Sequence, residues 1–311
     1  MELEFINCDL CKLDNNTTLL CTRDYRYGHF EMFNIVKCNN CRLIYMNPRP
    51  TSESILTLYD KYYTPKDDLQ LLPKLENKRL MMNLKKLWHK LNGQYIDEII
   101  SKAKGKVLDV GCGNGYLLLP LKDKGCEVYG VEINYKSVNV CNELGLKVFC
   151  GTLEDANFPD EFFDIVILSQ VLEHLSSPKV SLRKTFRILK PSGKVFIYCP
   201  NANSYLSRLF GKYWHGWHLP FHFYAFTKDT IEKLAVETGF KINRISTITP
   251  DNFFIVSLKD YFFGEKNSNI RPIDRGKFFD SLFFRTVISP VFRLMDLLTQ
   301  NGDCLKVELE K

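Results

Sequence analysis

Several things are scarce in this chain of 311 residues. No apolar run reaches the roughly 20 residues that cross a bilayer, so no membrane span is expected. The opening MELEFINCDLC has neither a basic n-region nor an apolar h-region, which argues against a secretory leader and sets the expectation of a cytoplasmic protein. Charge of one sign is also thin: 42 Lys and Arg against 36 Asp and Glu leave +6. That excess is local, because Lys61–Lys106 alone carries 11 basic and 5 acidic residues. The stretch reads either as a solvated helical face or as a surface for an anionic substrate or membrane. Cysteine is not scarce: there are 11, an odd number. In a reducing compartment, clustered cysteines point to metal before disulfides.

Two Cys-x-x-Cys pairs stand near the start, Cys8 with Cys11 and Cys38 with Cys41. Each pair can bend around a metal and offer two thiolates, and two such knuckles complete a tetrahedral zinc site. Strand-like runs lie between them, TTLLCTRD and EMFNIVKC, and RLIYMNPRP follows, ended by prolines. Residues 1–50 therefore read as a zinc ribbon with a long central hairpin. With four protein ligands no coordination position is left for water, so the zinc is expected to be structural. No thioredoxin-like βαβ pattern surrounds either pair, and Cys21 has no partner at knuckle spacing.

Residues 51–104 read as a helical linker, from SILTLYDKYY through LENKRLMMNLKKLWHKLNGQYIDEIISKAK. From residue 105 the period changes. Short buried strands (KVLDV, CEVYGVEI, LKVFC, FDIVILSQ, GKVFIYCPN) alternate with helices (NGYLLLPLKDKG, NYKSVNVCNELG, SPKVSLRKTFRILKPSG). Alternating βα units imply a doubly wound, Rossmann-like parallel sheet covered on both faces, with ligands at the carboxyl ends of the strands. The first of those ends carries Gly111, Gly113 and Gly115, three glycines where a strand should become a helix. Such a turn lets backbone N–H groups approach a ligand. Its spacing is not the G-x-G-x-x-G of dinucleotide sites, and Asp109 just before it suits a ligand carrying an ammonium better than a pyrophosphate. Glu132 ends the second strand, 17 residues past Gly115, where an acid accepts from both ribose hydroxyls. Thr152 to Asp155 follow the third strand and could edge an adenine, while Phe158 reads as core.

Assembled, VLDVGCGNG, the acid of VYGVEI, GTLEDANFPDEFFDIV and LSQVLEHLSSP resemble a class I S-adenosylmethionine-dependent methyltransferase, over roughly Lys106 to Phe240. The paired Cys-x-x-Cys, MNPRP, YDKYY, YWHGWHLPFHFYAFT and the closing NGDCLKVELEK resemble the zinc-ribbon-tailed members found with polysaccharide and secondary-metabolite pathways. The resemblance implies a seven-stranded methyltransferase sheet over 105–311 whose last strand is antiparallel. It implies S-adenosyl-L-methionine as cofactor, held by Asp109, Gly111, Cys112, Gly113, Gly115, Glu132, Ile133, Thr152 and Leu153. Ser169 and Gln170 would border the sulfonium. Many relatives carry Asp where this chain has Thr152, and Glu154 or Asp155 could substitute.

A methyl on sulfonium is already activated, so alignment of donor and acceptor does most of the work; a hydroxyl acceptor also needs a base. His174 follows the fourth strand. His215, His218 and His222 lie in an aromatic lid over 201–226, where His222 with Tyr224 matches the related group's pattern. His174, His222 and Tyr224 are the catalytic candidates, and a metal held by the lid histidines lacks a carboxylate partner. Tyr59, Tyr62 and Tyr63 could close the site. The Asn/Asp-Pro-Pro-Tyr box of enzymes acting on base amino groups is missing, which disfavours a DNA amino methyltransferase, and the aromatic lid suits a small ring such as a sugar. The expected reaction is O-methylation of a sugar, free, nucleotide-linked or lipid-linked. An RNA or protein methyltransferase reading its substrate through the ribbon (Arg23, Tyr25, Arg26, Tyr27) and a non-catalytic cofactor-binding scaffold stay open. Residues 250–301 form an apolar insertion broken by Pro290, either a helical cap or interface, or a peripheral membrane contact through 277–300 with Arg285 and Arg293 beside it.

Overall fold

The computed structural model describes residues 1–25, 31–62, 95–265, 276–280 and 282–311. Arg26, Tyr27, Tyr63 and most of the helix expected across 75–104 lie outside the described residues, as do the side chains of Tyr62, Arg285 and Arg293.

In chain order the strands are β1 Leu3–Glu4, β2 Asn16–Arg23, β3 Met32–Cys38, β4 Ile44–Met46, β5 Arg49–Pro50, β6 Lys106–Val110, β7 Glu127–Glu132, β8 Lys147–Cys150, β9 Phe163–Ser169, β10 Leu189–Pro200, β11 Tyr224–Ala225, β12 Lys241–Ile248 and β13 Cys304–Glu310. The α-helices are α1 Ser52–Tyr62, α2 Tyr95–Lys102, α3 Leu118–Asp123, α4 Tyr135–Glu143, α5 Pro178–Ile188, α6 Tyr205–Phe210, α7 Lys228–Glu237, α8 Asp251–Phe263 and α9 Leu282–Thr299. Seven strands form the main sheet in the order β12-β13-β10-β9-β6-β7-β8. Pairs β6–β7, β6–β9, β7–β8 and β9–β10 are parallel, while β13 runs antiparallel to both β10 and β12. This is a Rossmann-like mixed sheet. Its order steps outward from β6 on both sides, so the carboxyl ends of β6 and β9 flank the switch point where such sheets bind ligands.

Helix starts follow local chemistry. Asn134 caps α4 by accepting from the N–H groups of Lys136 and Ser137. Ser177 caps α5 ahead of Pro178, and Thr227 forms a reciprocal cap with Thr230 at α7. The expected helix NGYLLLPLKDKG is shorter than its apolar pattern, running only over Leu118–Asp123.

A second sheet of order β11-β4-β3-β2 holds the cysteine-bearing front end. Strand β11 comes from the segment read as a lid and pairs Tyr224 with Tyr45 and Ala225 with Ile44. The sheet's two faces separate by alternation. Val36, Cys38 and Tyr45 join the cluster that includes Val166, Leu168 and Ile197 of the main sheet. Phe33, Ile35, Ile44 and Met46 face Leu206, Phe210, Trp214, Trp217 and Phe292 instead. Each such side chain stabilises the contact by roughly 1.5–3 kcal/mol, so the front end, the 201–226 segment and α9 form one packed unit.

The insertion differs from expectation at Pro290. Helix α9 continues through it over 18 residues. Proline's fixed φ is compatible with a helix, and the cost is one missing i→i−4 bond and crowding of the Thr286 carbonyl. Ile288, Phe292 and Met295 anchor the inner face on both sides of that position. Among the described residues no helix is long and apolar enough to cross a membrane.

Candidate active site

The turn after β6 is built to approach something. Gly111, Gly113 and Gly115 have φ of 68°, 52° and 80°, the left-handed region that glycine enters without penalty. A Cβ on Gly111 would stand 2.5 Å from Val171 Cγ2, and one on Gly115 2.5 Å from Leu146 Cδ1. Gly113 is different: nothing lies within 4 Å of its Cβ position, so that point faces open space beside the turn. Gly111 N–H donates to Val131 O at 2.7 Å and Gly115 N–H to Cys112 O at 2.9 Å, which fixes the loop.

Three polar side chains surround it. Glu132 accepts from Gly113 N at 2.9 Å through Oε2 and from Asn134 N at 2.8 Å through Oε1. Burial pushes its carboxyl up, against those backbone donors, and the carboxylate keeps lone pairs for further donors. Asp109 is buried, and burial followed by the Glu132 charge pushes it up to about 8. Asn114, missed by sequence reasoning, is 2% exposed with neither amide atom hydrogen-bonded. A buried amide in that condition costs about 1–3 kcal/mol, and a bound polar ligand would relieve it. Ile133 is exposed at the end of β7, Leu153 is buried in the core, and Cys112 lies beneath the turn.

The adenine-edge acids are already engaged. Thr152 Oγ1 donates to Asp155 at 2.6 Å, and Ser181 donates to Glu154. Phe158 packs edge-on to Phe163 and Tyr129. Ser169 ends β9. Gln170 sits at φ 56°, its N–H on Tyr198 O at 2.7 Å and its amide on Cys304 Sγ at 3.4 Å.

Beyond β9 the histidines converge. Tyr59 Oη (2.8 Å) and the Phe221 carbonyl (3.0 Å) both reach His174 Nδ1. Burial pushes this imidazole down to about 4, so it is neutral at pH 7. His222 places Nδ1 2.8 Å from Gly216 O. A carbonyl only accepts, so Nδ1 carries the proton and Nε2 keeps its lone pair. That Nε2 lies 3.4 Å from His218 Nδ1 and 3.9 Å from Glu173 Oε1. Glu173 is wholly buried, neither oxygen is hydrogen-bonded, and burial pushes it up to about 8. Ligand atoms of Glu173, His174 and His222 all lie within 4.8 Å of one another, a group that could also hold a cation. The carboxylate absent from the sequence-level count of metal partners is thus Glu173, which the sequence places next to His174 without revealing which way it points.

Tyr224 is not brought into this cluster. Its hydroxyl donates to Ser176 O at 3.1 Å and accepts from Arg49 Nη1 at 3.2 Å; it ties the second sheet to the main one. His215 packs on Phe253, its N–H on Ser257 Oγ at 2.8 Å.

The four front-end cysteines do come together. Cys8 and Cys41 sulfurs are 3.3 Å apart, Cys11 and Cys38 sulfurs 3.5 Å, and all four lie within 4.8 Å. The two knuckles match: Cys8 N–H donates to Leu13 O and Cys38 N–H to Leu43 O, with Lys12 and Arg42 at φ 65° and 73° in equivalent places. Four sulfurs at Zn–S bonds of about 2.3 Å sit roughly 3.8 Å apart in a tetrahedron, so the set fits zinc with a small expansion.

This turn, strand-end acid and sheet order define a class I methyltransferase fold. A family model described as "Methyltransferase domain" matches residues 83–245, slightly more than half of the chain, and the protein belongs to that family of S-adenosylmethionine-dependent methyltransferases. Among curated relatives, the ubiquinone biosynthesis O-methyltransferase of Pseudomonas fluorescens (strain SBW25) is 33% identical over 130 residues, covering 39% of this chain and 56% of that protein. The enzyme of the same name from Vibrio vulnificus (strain YJ016) is 34% identical over 136 residues, covering 40% and 58%. The chain thus spans little more than half the length of the curated relatives it matches. Among solved structures, the [4+2]-cyclase SpnF shares the fold at TM-score 0.55 and 18% identity, covering 85% of this chain and 97% of that one.

Proposed function

We propose that the protein transfers the methyl of S-adenosyl-L-methionine to a hydroxyl of a sugar-containing small molecule, with His222 as the base. The observation that carries this is His222 Nε2, which accepts from His218 Nδ1 at 3.4 Å and lies beside a buried Glu173 on the turn that follows β9. The cofactor supplies a methyl already activated on sulfonium. The residues placed to hold it are Asp109, the Gly111–Gly115 turn with Asn114, and Glu132, with Ile133, Thr152, Leu153, Ser169 and Gln170 along its edge. The orphaned Asn114 amide and the open space at Gly113 support that assignment. His222 takes the acceptor proton, its Nδ1–H held by Gly216 O so that the base points one way. His174, kept neutral and braced by Tyr59, shapes the pocket wall beside it. Tyr224 acts at one remove by docking the second sheet.

Cys8, Cys11, Cys38 and Cys41 would hold one structural zinc, which crosslinks the hairpin that β11 joins. Clustered cysteines of this kind suit a reducing, cytoplasmic setting, where thiols bind metal before they pair in disulfides. On α9, Val287, Val291, Leu294, Leu297 and Leu298 are exposed, with Phe278 nearby. This apolar stripe supports a peripheral membrane contact, the arrangement a lipid-linked acceptor would need.

The test is incubation with methyl-labelled S-adenosylmethionine and a lysate of the native host, then separation into soluble small molecules, lipid, nucleic acid and protein. Label in soluble or lipid glycans is the expected result. Label in nucleic acid or protein would overturn the acceptor class, and label nowhere would leave a cofactor-binding scaffold.

A further inference from the structure

A small cleft opens between the second sheet and the 211–219 segment. His218, on its inner wall, is the same residue whose Nδ1 stands 3.4 Å from His222 Nε2. Trp217 and the buried acids Asp24 and Asp260 also line it. The remaining lining side chains are of another kind. Arg23, Tyr25, Lys212 and Tyr213 belong to the same cleft, and all four donate to a single carboxylate. Arg23 Nη2 reaches Glu265 Oε2 at 2.9 Å, while Tyr25 Oη (3.2 Å), Lys212 Nζ (2.9 Å) and Tyr213 Oη (3.1 Å) reach Oε1.

The donors also pack on one another. The tyrosine rings pack 4.9 Å apart, Arg23 lies 5.3 Å over the Tyr25 ring and Lys212 4.9 Å over the Tyr213 ring. These four come from two distant parts of the chain, and Glu265 comes from a third. Gly264 delivers it: a Cβ there would stand 2.4 Å from Asp260 O and 2.7 Å from Tyr25 Cδ1. The Lys212 ammonium first, then the two tyrosines, hold Glu265 below the usual carboxylate range. Yet the latch is not sealed. Glu265 and Lys212 side chains are 49% and 43% exposed, and ion pairs of that exposure contribute only about 0–1 kcal/mol. A phosphate brings more charge and three acceptor oxygens to the same donors.

We propose that Arg23, Tyr25, Lys212 and Tyr213 form an oxyanion subsite of the acceptor cleft, made for a phosphate ester on the acceptor, and that Glu265 fills it as a displaceable internal mimic until the acceptor binds. The proposal rests on the acceptor-methylating reading above and narrows it to acceptors whose ring carries a phosphate or diphosphate. Neutral sugars would then lack the group that opens the latch.

Calorimetry on the full-length, zinc-loaded protein with bound S-adenosylhomocysteine tests this with glucose 1-phosphate, inorganic pyrophosphate and glucose. Glucose 1-phosphate is expected to bind at least tenfold tighter than glucose. Glu265→Gln should tighten it severalfold by removing the competing charge, and Arg23→Ala or Lys212→Gln should weaken it at least tenfold. Lys212→Gln is included because this half-exposed side chain can be exchanged without unfolding the protein. Pyrophosphate binding that exceeds glucose 1-phosphate binding would make the cradle a site for free anion and overturn the acceptor assignment. Equal affinities in wild type, Glu265→Gln and Lys212→Gln would reduce the cluster to a surface ion pair. Failure here is separable from failure of the methylation reading: label transferred by the wild-type protein to neutral sugars as readily as to sugar phosphates sinks the subsite alone, whereas latch-dependent phosphate binding without methyl transfer sinks the reaction alone.

Discussion

His222 Nε2 stands 3.9 Å from Glu173 Oε1, and that carboxyl group is sealed from solvent with no hydrogen bond to either oxygen. The separation is too long for a hydrogen bond. It is short enough that an ionised Glu173, whose carboxyl burial pushes up to about 8, would stabilise the imidazolium formed when Nε2 takes the proton but not the neutral ring. A base that gains a stabilising partner only after taking its proton is stabilised late in the reaction, where it raises the rate.

The first prediction follows from that pair. His222→Ala should lower single-turnover methyl transfer by about 10²–10⁴, the usual contribution of a positioned general base, with S-adenosylhomocysteine affinity held within twofold. Tyr59→Phe, which removes the 2.8 Å contact to His174, should cost less, roughly three- to tenfold for one hydrogen bond. Rapid-quench rates and calorimetry check both, and a His222→Ala rate within threefold of wild type would remove it as the base.

Stability should fall as pH rises from 6 to 8 in the ligand-free protein. Burial raises Glu173 and Asp109 to about 8 each, so the native state keeps protons that the unfolded chain releases above about pH 4. That contribution is present in acid and lost as pH climbs through 8. His174, lowered to about 4 by burial, acts in the opposite direction between about 4 and 6.5, where only the unfolded chain takes the proton. Above 6.5 the two acids act together with Asp303, which burial raises to about 7 and which works in the same direction. Glu173→Gln should flatten the slope by up to about 1.4 kcal/mol per pH unit, one proton's worth. Urea midpoints at pH 6, 7 and 8 measure it; a midpoint rising over that range in wild type would contradict both assignments.

Local patterns carried the main sheet well. The βα alternation, the glycine turn and the two cysteine knuckles each depend on neighbours within a few residues, and β6 to β10 fall where their apolar runs lie. What stayed hidden depends on distant partners. Nothing local in Tyr224 and Ala225 announces pairing with Tyr45 and Ile44, so a segment read as a lid is also a strand of the front-end sheet. Glu173 reads like any acid beside a histidine, and only the packing around the turn after β9 reveals that it points inward. The cradle around Glu265 assembles from three separated stretches, and periodicity has no means of joining them.

Zinc should hold more than the front end. The cysteine set shares its sheet with β11, and that sheet packs on both the main core and α9. One zinc per chain is expected by metal analysis of reduced protein. Cys8→Ser or stripping with chelator should lower Tm by at least about 5 °C, more than 1 kcal/mol for a domain of this size. It should also weaken methyl transfer, because His222 lies two residues before β11. Metal-free protein with unchanged Tm would remove the ribbon assignment.

Two glycines two residues apart should separate folding from binding. Gly115 has φ 80°, and its Cβ would stand 2.5 Å from Leu146 Cδ1 and 3.2 Å from Cys141 Sγ. Gly115→Ala therefore meets both backbone strain and a core collision, about 2–4 kcal/mol together. Gly113 has φ 52° but no atom within 4 Å of the Cβ position, so Gly113→Ala faces only the left-handed backbone, about 1–2 kcal/mol. Its methyl would point into the space where the cofactor is expected. Gly113→Ala should thus stay folded yet lose at least tenfold in S-adenosylhomocysteine affinity. Glu132→Ala, which frees Gly113 N–H and Asn134 N–H and would remove the proposed ribose contact, should lose about 10–100-fold, or one to two steps of 1.4 kcal/mol. Urea titration and calorimetry on the three variants decide it. If Gly113→Ala binds as tightly as wild type, the open face at Gly113 is not where the cofactor lies.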